Sequence, residues 1–322
     1  MLLVLMFPFF CARAEFLDIP LPGGETGNLL DKDVFTESGE EISVDLNDGR
    51  FLYRSKNLSV EIERRIRTYD RLAVWYQADI RVRMQDGVPV ETWDMVTLRE
   101  ENPMQLSVYP HVLARRTGTV FAINGDFAHV RQSYVWPGVV IRRGRVFSDA
   151  PQPSDRHQFP PEDTLAIYPD GDMTVALSDA YSAQAYLDMG ATTVQSFGPV
   201  LVHAGEIQID RISRHPLTYA QRTAIGMVAP GHYVAMVCDG RSKDSKGLSL
   251  LETAQIMKDL GCSVALNLDG GQSSAMVFLG RQVNQMVNSL GNSVGGRKAP
   301  EILGIGHTSS MSGEEEPFSW WK

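Results

Sequence analysis

Leu58, Val60 and Ile62 alternate with polar neighbours, and so do Ala78, Ile80 and Val82. A period of two is that of half-buried strands, so residues 51–83 read as β-structure. Pro110 to Arg116 opens with proline, as a short helix does. Thr119-Val120-Phe121-Ala122-Ile123 is an apolar strand running into Asn124-Gly125-Asp126. Hairpins follow at Gly138–Phe147, turning at Arg143-Gly144, and at Thr164–Leu177, turning at Pro169-Asp170-Gly171-Asp172. Another spans Ile225–Val237 around Pro230-Gly231. Ser182–Met189 reads as a short helix closed by Gly190. The clearest helix begins at Ser249 and stops before Gly261, with Leu250, Leu251, Ala254, Met257 and Leu260 three to four residues apart. A last apolar strand covers Ile302–Ile305. The pattern predicts an α+β fold, a mostly antiparallel mixed sheet packed with a few short helices.

The flanks carry less periodicity. Residues 15–50 are rich in Pro, Gly, Asp and Glu and read as a leader or linker. Residues 308–322 are rich in Ser, Gly and Glu, end in Trp320-Trp321-Lys322, and read as a mobile tail. Between them the expected division is a β-rich section at 51–110 packed on a main domain at 111–307. Ahead of the leader, Leu2–Phe10 is apolar apart from Pro8 and is followed by Cys11-Ala12-Arg13-Ala14. An apolar run ending in Ala-x-Ala is the pattern of a secretory signal, here residues 1–14, although a basic n-region is missing. Pro8-Phe9-Phe10 fit a lipobox poorly.

The composition narrows the functional classes. The 322 residues are 43% apolar and carry a formal net charge of −9. That balance argues against general nucleic-acid binding, which needs a basic footprint, but it allows a few arginines around one phosphate. No run reaches the roughly 20 apolar residues of a membrane span, so no stable span is expected once the signal is removed. Cys238 and Cys262 lie in separate apolar runs, where two small buried side chains are a better reading than a disulfide.

Four polar, glycine-punctuated clusters sit at strand ends, where sites are usually built. Asn124-Gly125-Asp126-Phe127 offers an amide and a carboxylate, or is a plain Asn-Gly turn. Arg222-Thr223-Ala224-Ile225-Gly226 presents a guanidinium suited to bidentate capture of phosphate or carboxylate, or half of a surface ion pair. Asp239-Gly240-Arg241 leads into the polar loop 242–247, which could close over an anion or be a solvated turn. In Asn267-Leu268-Asp269-Gly270-Gly271-Gln272-Ser273-Ser274, alternation puts Asn267 and Asp269 on one face. Gly270 and Gly271 there could turn amides toward anionic oxygens, or form a bulge with serine caps. Ser249-x-x-Glu252 matches a capping box, which on pattern alone makes Glu252 structural. There is no His/Cys metal spacing, P-loop or Gly-x-Ser-x-Gly elbow. Carboxylates, amides and guanidinium groups without an activated nucleophile favour hydrolysis at a phosphate-bearing or sugar centre over acyl transfer.

Taken in order, these motifs resemble the phosphodiester glycosidase family over roughly residues 115–306. They are joined by Ser196-Phe197-Gly198-Pro199-Val200-Leu201-Val202 with Gly205-Glu206-Ile207, and by Arg297. Asn267-Leu268-Asp269-Gly270-Gly271-x-Ser273-Ser274 is the most specific. The resemblance implies cleavage of a sugar 1-phosphodiester, of the α-GlcNAc-1-phosphodiester kind, leaving a phosphomonoester. In bacteria it suggests envelope or exopolysaccharide substrates, in keeping with the exported location that the signal pattern predicts: extracellular, periplasmic or cell-envelope associated. It implies Arg222 and Arg241 on the phosphate, helped by amides at Gly270 and Gly271 and by Ser273. Asn124 and Asn267 would orient oxygens, and Asp239, Asp269 and Glu252 would share the acid, base and stabilising roles. His215 is a candidate proton shuttle or a surface histidine. Asp126 replaces a glycine common in the family's first motif, and an added carboxylate beside a phosphate needs a proton, a partner or a cation. A divalent cation among Asp126, Asp239 and Asp269 has no distinctive spacing behind it, and no other cofactor is implied. The rival reading is a non-catalytic envelope protein binding polysaccharide through Trp75, Tyr76, Trp93, Tyr134 and Trp136. A third, a glycosyl-phosphate transferase, would transfer the sugar instead of releasing it.

Overall fold

The computed structural model describes residues 34–96, 107–125, 138–150, 163–177, 179–285, 287, 296–311 and 319–321. A nine-stranded sheet forms the backbone of the fold. Its order is Glu41–Asp45, Arg50–Arg54, Leu58–Arg67, Ala73–Val82, His232–Cys238, Arg222–Ala229, Val264–Leu268, Val200–His203 and Glu206–Ile207, every pair antiparallel. A second sheet of five strands has Gly138–Arg142 and Thr193–Phe197 at its centre, and a third has Thr119–Asn124 at its centre. The fold is therefore α+β and mostly antiparallel, with few and short helices.

The central strands of the large sheet are buried on both faces. On one face Ile62, Ile80, Ile225 and Leu266 share a core with Phe121, Phe278 and Leu303 of the third sheet and Leu165 and Ile167 of the second. On the other face the helix Leu250–Asp259 lays Leu250, Ala254 and Met257 on Ala224, Met236, Cys238 and Ala265. Each large side chain removed from water there contributes about 1.5–3 kcal/mol. The helix starts where its sequence says: the Ser249 hydroxyl accepts from Glu252 N at 3.2 Å, and Glu252 Oε2 accepts from Ser249 N at 2.8 Å. Cys238 and Cys262 are both buried free thiols.

The flanks differ from their expected states. Glu41–Asp45, inside the expected leader, is an edge strand registered on Arg50–Arg54. Ile42 is 44% exposed, so the strand rests on main-chain pairing and leaves little burial pattern to read. The β-rich section 51–110 does not stop at a boundary, since Ala73–Val82 pairs directly with His232–Cys238. The expected mobile tail is anchored where it is described: Trp320 and Trp321 pack on the main core. Residues 1–33 lie outside the described residues, as do Asp126, Tyr134 and Trp136.

Candidate active site

Antiparallel order collects the chemistry at one end of the large sheet. The strand Arg222–Ala229 starts where its neighbours His232–Cys238 and Val264–Leu268 finish. Residues 222, 239–241 and 269–271 therefore emerge side by side. Thr223 pairs with Leu268, so one step further along the ladder Arg222 lies beside Asp269 on the face that carries Asn267.

Asn124 ties the third sheet to this end. Its Nδ2 donates to Asp269 O at 2.8 Å and to Gly125 O, while its Oδ1 accepts from Thr223 Oγ1 at 2.7 Å and Ala275 N at 2.9 Å. With 1% of its surface exposed, Asn124 spends its amide inside the protein. It fixes Asp269 in place and is not poised to orient a substrate oxygen. Gly271 also differs from expectation. Its N–H donates to Gln221 O at 3.1 Å, so that amide is already used and does not face an anion. The glycine is still required, since its φ of +63° is left-handed. A Cβ there would stand 3.2 Å from Nη1 of Arg241, which places the guanidinium over residue 271. Gly270 is held just as closely, with a Cβ falling 2.9 Å from Gln221 O.

The arginines are the distinctive groups. Arg222 donates from Nε to Leu248 O at 3.2 Å and from Nη2 to Thr218 O at 2.8 Å and Thr218 Oγ1 at 3.0 Å. All three acceptors are neutral. Burial and the nearby charge of Arg241 lower its pKa to about 10. Arg241, exposed and at a left-handed φ of +56°, has no hydrogen-bond or ion-pair partner among the described residues. Arg297 joins from the far side, its Nη1 donating to Ser273 Oγ at 2.9 Å. His215 lies within electrostatic reach of Arg222, and burial first, then Arg211 and Arg222, hold its pKa down.

Three carboxyls were expected to share the chemistry, and their environments separate them. Asp239 is 5% exposed, and burial pushes its pKa up to about 8 even though Gln285 N donates to its Oδ1 at 2.8 Å and Asn284 and Arg64 oppose the shift. Burial therefore favours its neutral, protonated form. Asp269 is buried on the Arg222 face. Glu252 is an anion at work elsewhere: Oε1 accepts from Arg67 Nη1 at 2.9 Å and from Arg71 Nη2, and Oε2 from the Ser249 amide and hydroxyl. Burial alone would raise its pKa, but the Ser249 hydrogen bonds and Arg67 overcome that and hold it low. Glu252 is thus a helix cap and an ion-pair anchor with no proton to give.

Asp239 and Asp269 do not form a cation set. Asp239 keeps company with Gln285, Asn284 and Tyr76 on one side of the sheet, whereas Asp269 shares the other with Asn267. Among the described residues no three His, Cys, Asp or Glu side chains could hold a metal ion.

The cluster also holds polar atoms without partners, and two of their residues, Gln195 and Gln221, carried no sequence signal. Asn267 donates to Gly198 O at 2.8 Å and leaves its Oδ1 buried without a partner. Gln195, fully buried with Oε1 near Gly125, has neither amide atom bonded, and Gln221 Oε1 and Ser274 Oγ are also unpartnered. Buried amides are normally satisfied, so these uncompensated polar atoms stand out beside the cluster. Trp75, Tyr76 and Trp93 are core residues, 9%, 2% and 2% exposed, and do not form a sugar-stacking platform.

Comparison with known proteins bears on the fold and the family. Residues 117–306, more than half of the chain, match the phosphodiester glycosidase family. The SPbeta prophage-derived uncharacterized protein YomE of Bacillus subtilis (strain 168) is 26% identical over 189 residues, 56% of this chain and 28% of that protein. The chain thus spans less than a third of that relative's length. The zebrafish N-acetylglucosamine-1-phosphodiester alpha-N-acetylglucosaminidase catalytic domain, solved as auto-inhibited by its pro-peptide, superimposes with a TM-score of 0.58 at 19% identity, covering 78% of this chain and 84% of that one. A hypothetical protein from Synechocystis gives 0.51 at 13%, covering 83% and 68%. These likenesses share the fold, and the family match over residues 117–306 makes the chain a member of the phosphodiester glycosidase family.

Proposed function

We propose that the protein hydrolyses a sugar 1-phosphodiester, releasing the free sugar and leaving a phosphomonoester. The observation that carries this reading is the pair Arg222 and Arg241, close enough to lower one pKa and without a carboxylate partner among the described residues. Two like charges held together in a partly dry place are unfavourable until an anion arrives. A phosphate gains charge as its bond to the sugar breaks, so the arginines stabilise the transition state more than the ground state. Asp239, neutral near pH 7, gives its proton to the leaving phosphate oxygen. Asp269, buried on the opposite side of the sheet end from Asp239, takes a proton from the water that attacks the anomeric carbon on the face away from the leaving phosphate. Asn267 Oδ1 and the Gln195 amide accept and donate hydrogen bonds to sugar hydroxyls.

The reading extends to export on the strength of the Leu2–Phe10 run and Ala12-Arg13-Ala14, with a cell-envelope glycan or exopolysaccharide as the source of substrate. The polysaccharide-binding alternative loses ground because Trp75, Tyr76 and Trp93 are buried. Incubation with an α-GlcNAc-1-phosphodiester should release free GlcNAc and a phosphomonoester in equal amounts. No turnover across a panel of sugar phosphodiesters, with tight glycan binding, would overturn the enzymatic reading. A sugar found on an acceptor would assign a transferase.

A further inference from the structure

Residues 319–321 return to the fold beside the strand Arg281–Gln282. Ser319 bridges to Gln282, and Trp320 N donates to Gln282 O at 3.0 Å. The two indoles then diverge. Trp320 donates from Nε1 to Phe278 O at 3.2 Å, with its ring 5.8 Å from Phe51 and the Arg281 guanidinium 4.5 Å above it. Trp321 donates from Nε1 to Val283 O, and its ring lies 6.2 Å from Tyr76 and 6.0 Å from Phe51, with the Arg64 guanidinium 4.8 Å above it.

Three of these Trp321 contacts lead to Asp239. Val283 opens the turn whose Gln285 N–H holds Asp239 Oδ1. The same turn is braced by Asn284, which accepts from Met276 N at 2.8 Å and donates to Ser274 O at 3.1 Å. Tyr76 and Arg64 both stand within electrostatic reach of the carboxyl. The hydrogen bond, ring pairs and guanidinium of the Trp320 side chain involve Phe278, Phe51 and Arg281 instead.

We infer that Trp321 is a positioning residue for Asp239: its indole N–H clamps the Val283–Gln285 turn, and its ring closes the Tyr76 side of the carboxyl to water. An acid that must meet a leaving oxygen is sensitive to displacements of about 1 Å, which cost up to about a hundredfold in rate. The kinetic consequence rests on reading Asp239 as the proton donor; the clamp itself does not.

The test compares Trp321→Ala with Trp320→Ala in the full chain. Each removes one half-buried indole from beside Phe51, so loosened packing alone would affect both alike. NMR hydrogen exchange of the Gln285 amide should quicken about tenfold in W321A and stay within about twofold of wild type in W320A. With an α-GlcNAc-1-phosphodiester, W321A should lose about tenfold in kcat at nearly constant KM, and W320A should keep its kcat. Trp321→Phe retains the ring and loses the donor, and should give an intermediate exchange rate. It carries the test if W321A fails to fold. Equal exchange in the two alanine variants, unchanged exchange in W321F, or faster exchange in W321A with full kcat would each overturn the inference. Absence of turnover in the wild type would overturn the glycosidase reading and leave the exchange comparison decisive for the clamp.

Discussion

Two neighbourhoods in this molecule combine arginines with carboxyl groups, and they use them oppositely. At the start of the helix Leu250–Asp259, Arg67 and Arg71 converge on Glu252, which also accepts from Ser249. Charge is matched there, and the Glu252 carboxyl is held anionic. At the sheet end, Arg222 rests on neutral carbonyl and hydroxyl oxygens beside a second guanidinium, and the nearby Asp239 is kept neutral by burial. Matched charges pin a helix to a strand. Unmatched ones are perturbed by burial and by each other, and perturbed groups cluster at functional sites.

The largest effect expected from this contrast is on Arg222. Arg222→Met should lower kcat/KM by on the order of a thousandfold, about 4 kcal/mol of transition-state stabilisation, while leaving stability unchanged or up to about 1 kcal/mol higher. Steady-state kinetics alongside urea denaturation measure both. Activity retained with stability lost would make Arg222 a scaffold residue like Arg67.

Next is Asp239→Asn, which should cost about 10²–10⁴ in kcat while still accepting the Gln285 hydrogen bond. The wild-type rate should fall as pH rises through about 8. Stability follows the same group. Its folded pKa is raised above the ordinary 3.8, so its favourable contribution is complete below pH 4 and lost as pH rises toward 8. The slope is at most about 1.4 kcal/mol per pH unit. D239N should flatten that decline in denaturation curves taken from pH 4 to pH 8, and an equally steep decline in the variant would remove Asp239 as its source.

The smallest effect is on the matched side. Glu252→Gln should destabilise by about 1–3 kcal/mol, less than a fully buried pair because the Glu252 side chain is 21% exposed, with kcat nearly unchanged. Its pKa is lowered, so its contribution is present above the ordinary 4.5 and lost as pH falls below it, opposite in sign to Asp239. A collapse of kcat in a folded E252Q would return Glu252 to the catalytic set.

Local patterns were the legible part of the sequence. The helix at 250–259 and the hairpin between residues 222 and 238 follow from spacing, capping and turn residues, because each is stabilised mainly by neighbours in the chain. Glu41–Asp45 and Trp320-Trp321 were hidden because their partners are remote or main-chain: one is an edge strand and the other bonds to the main chain of Phe278 and Val283. At the site, the motif residues did gather, but their tasks followed from hydrogen-bond capacity. Asn124 and the Gly271 amide are used internally, and Gln195 stands unpartnered beside Gly125 without any motif to announce it.

The join between Ala73–Val82 and His232–Cys238 sets a limit on how this chain can be shortened or shuffled. A fragment cut to the family-matched residues 117–306 would carry the whole arginine cluster but leave His232–Cys238 as a bare, apolar sheet edge. Such an edge is a template for other chains, so the fragment would aggregate before its chemistry could be seen. The strands ahead of the matched region thus serve as a built-in seal, and exchanging them between relatives would require preserving seven residue pairs of hydrogen-bond register as well as composition.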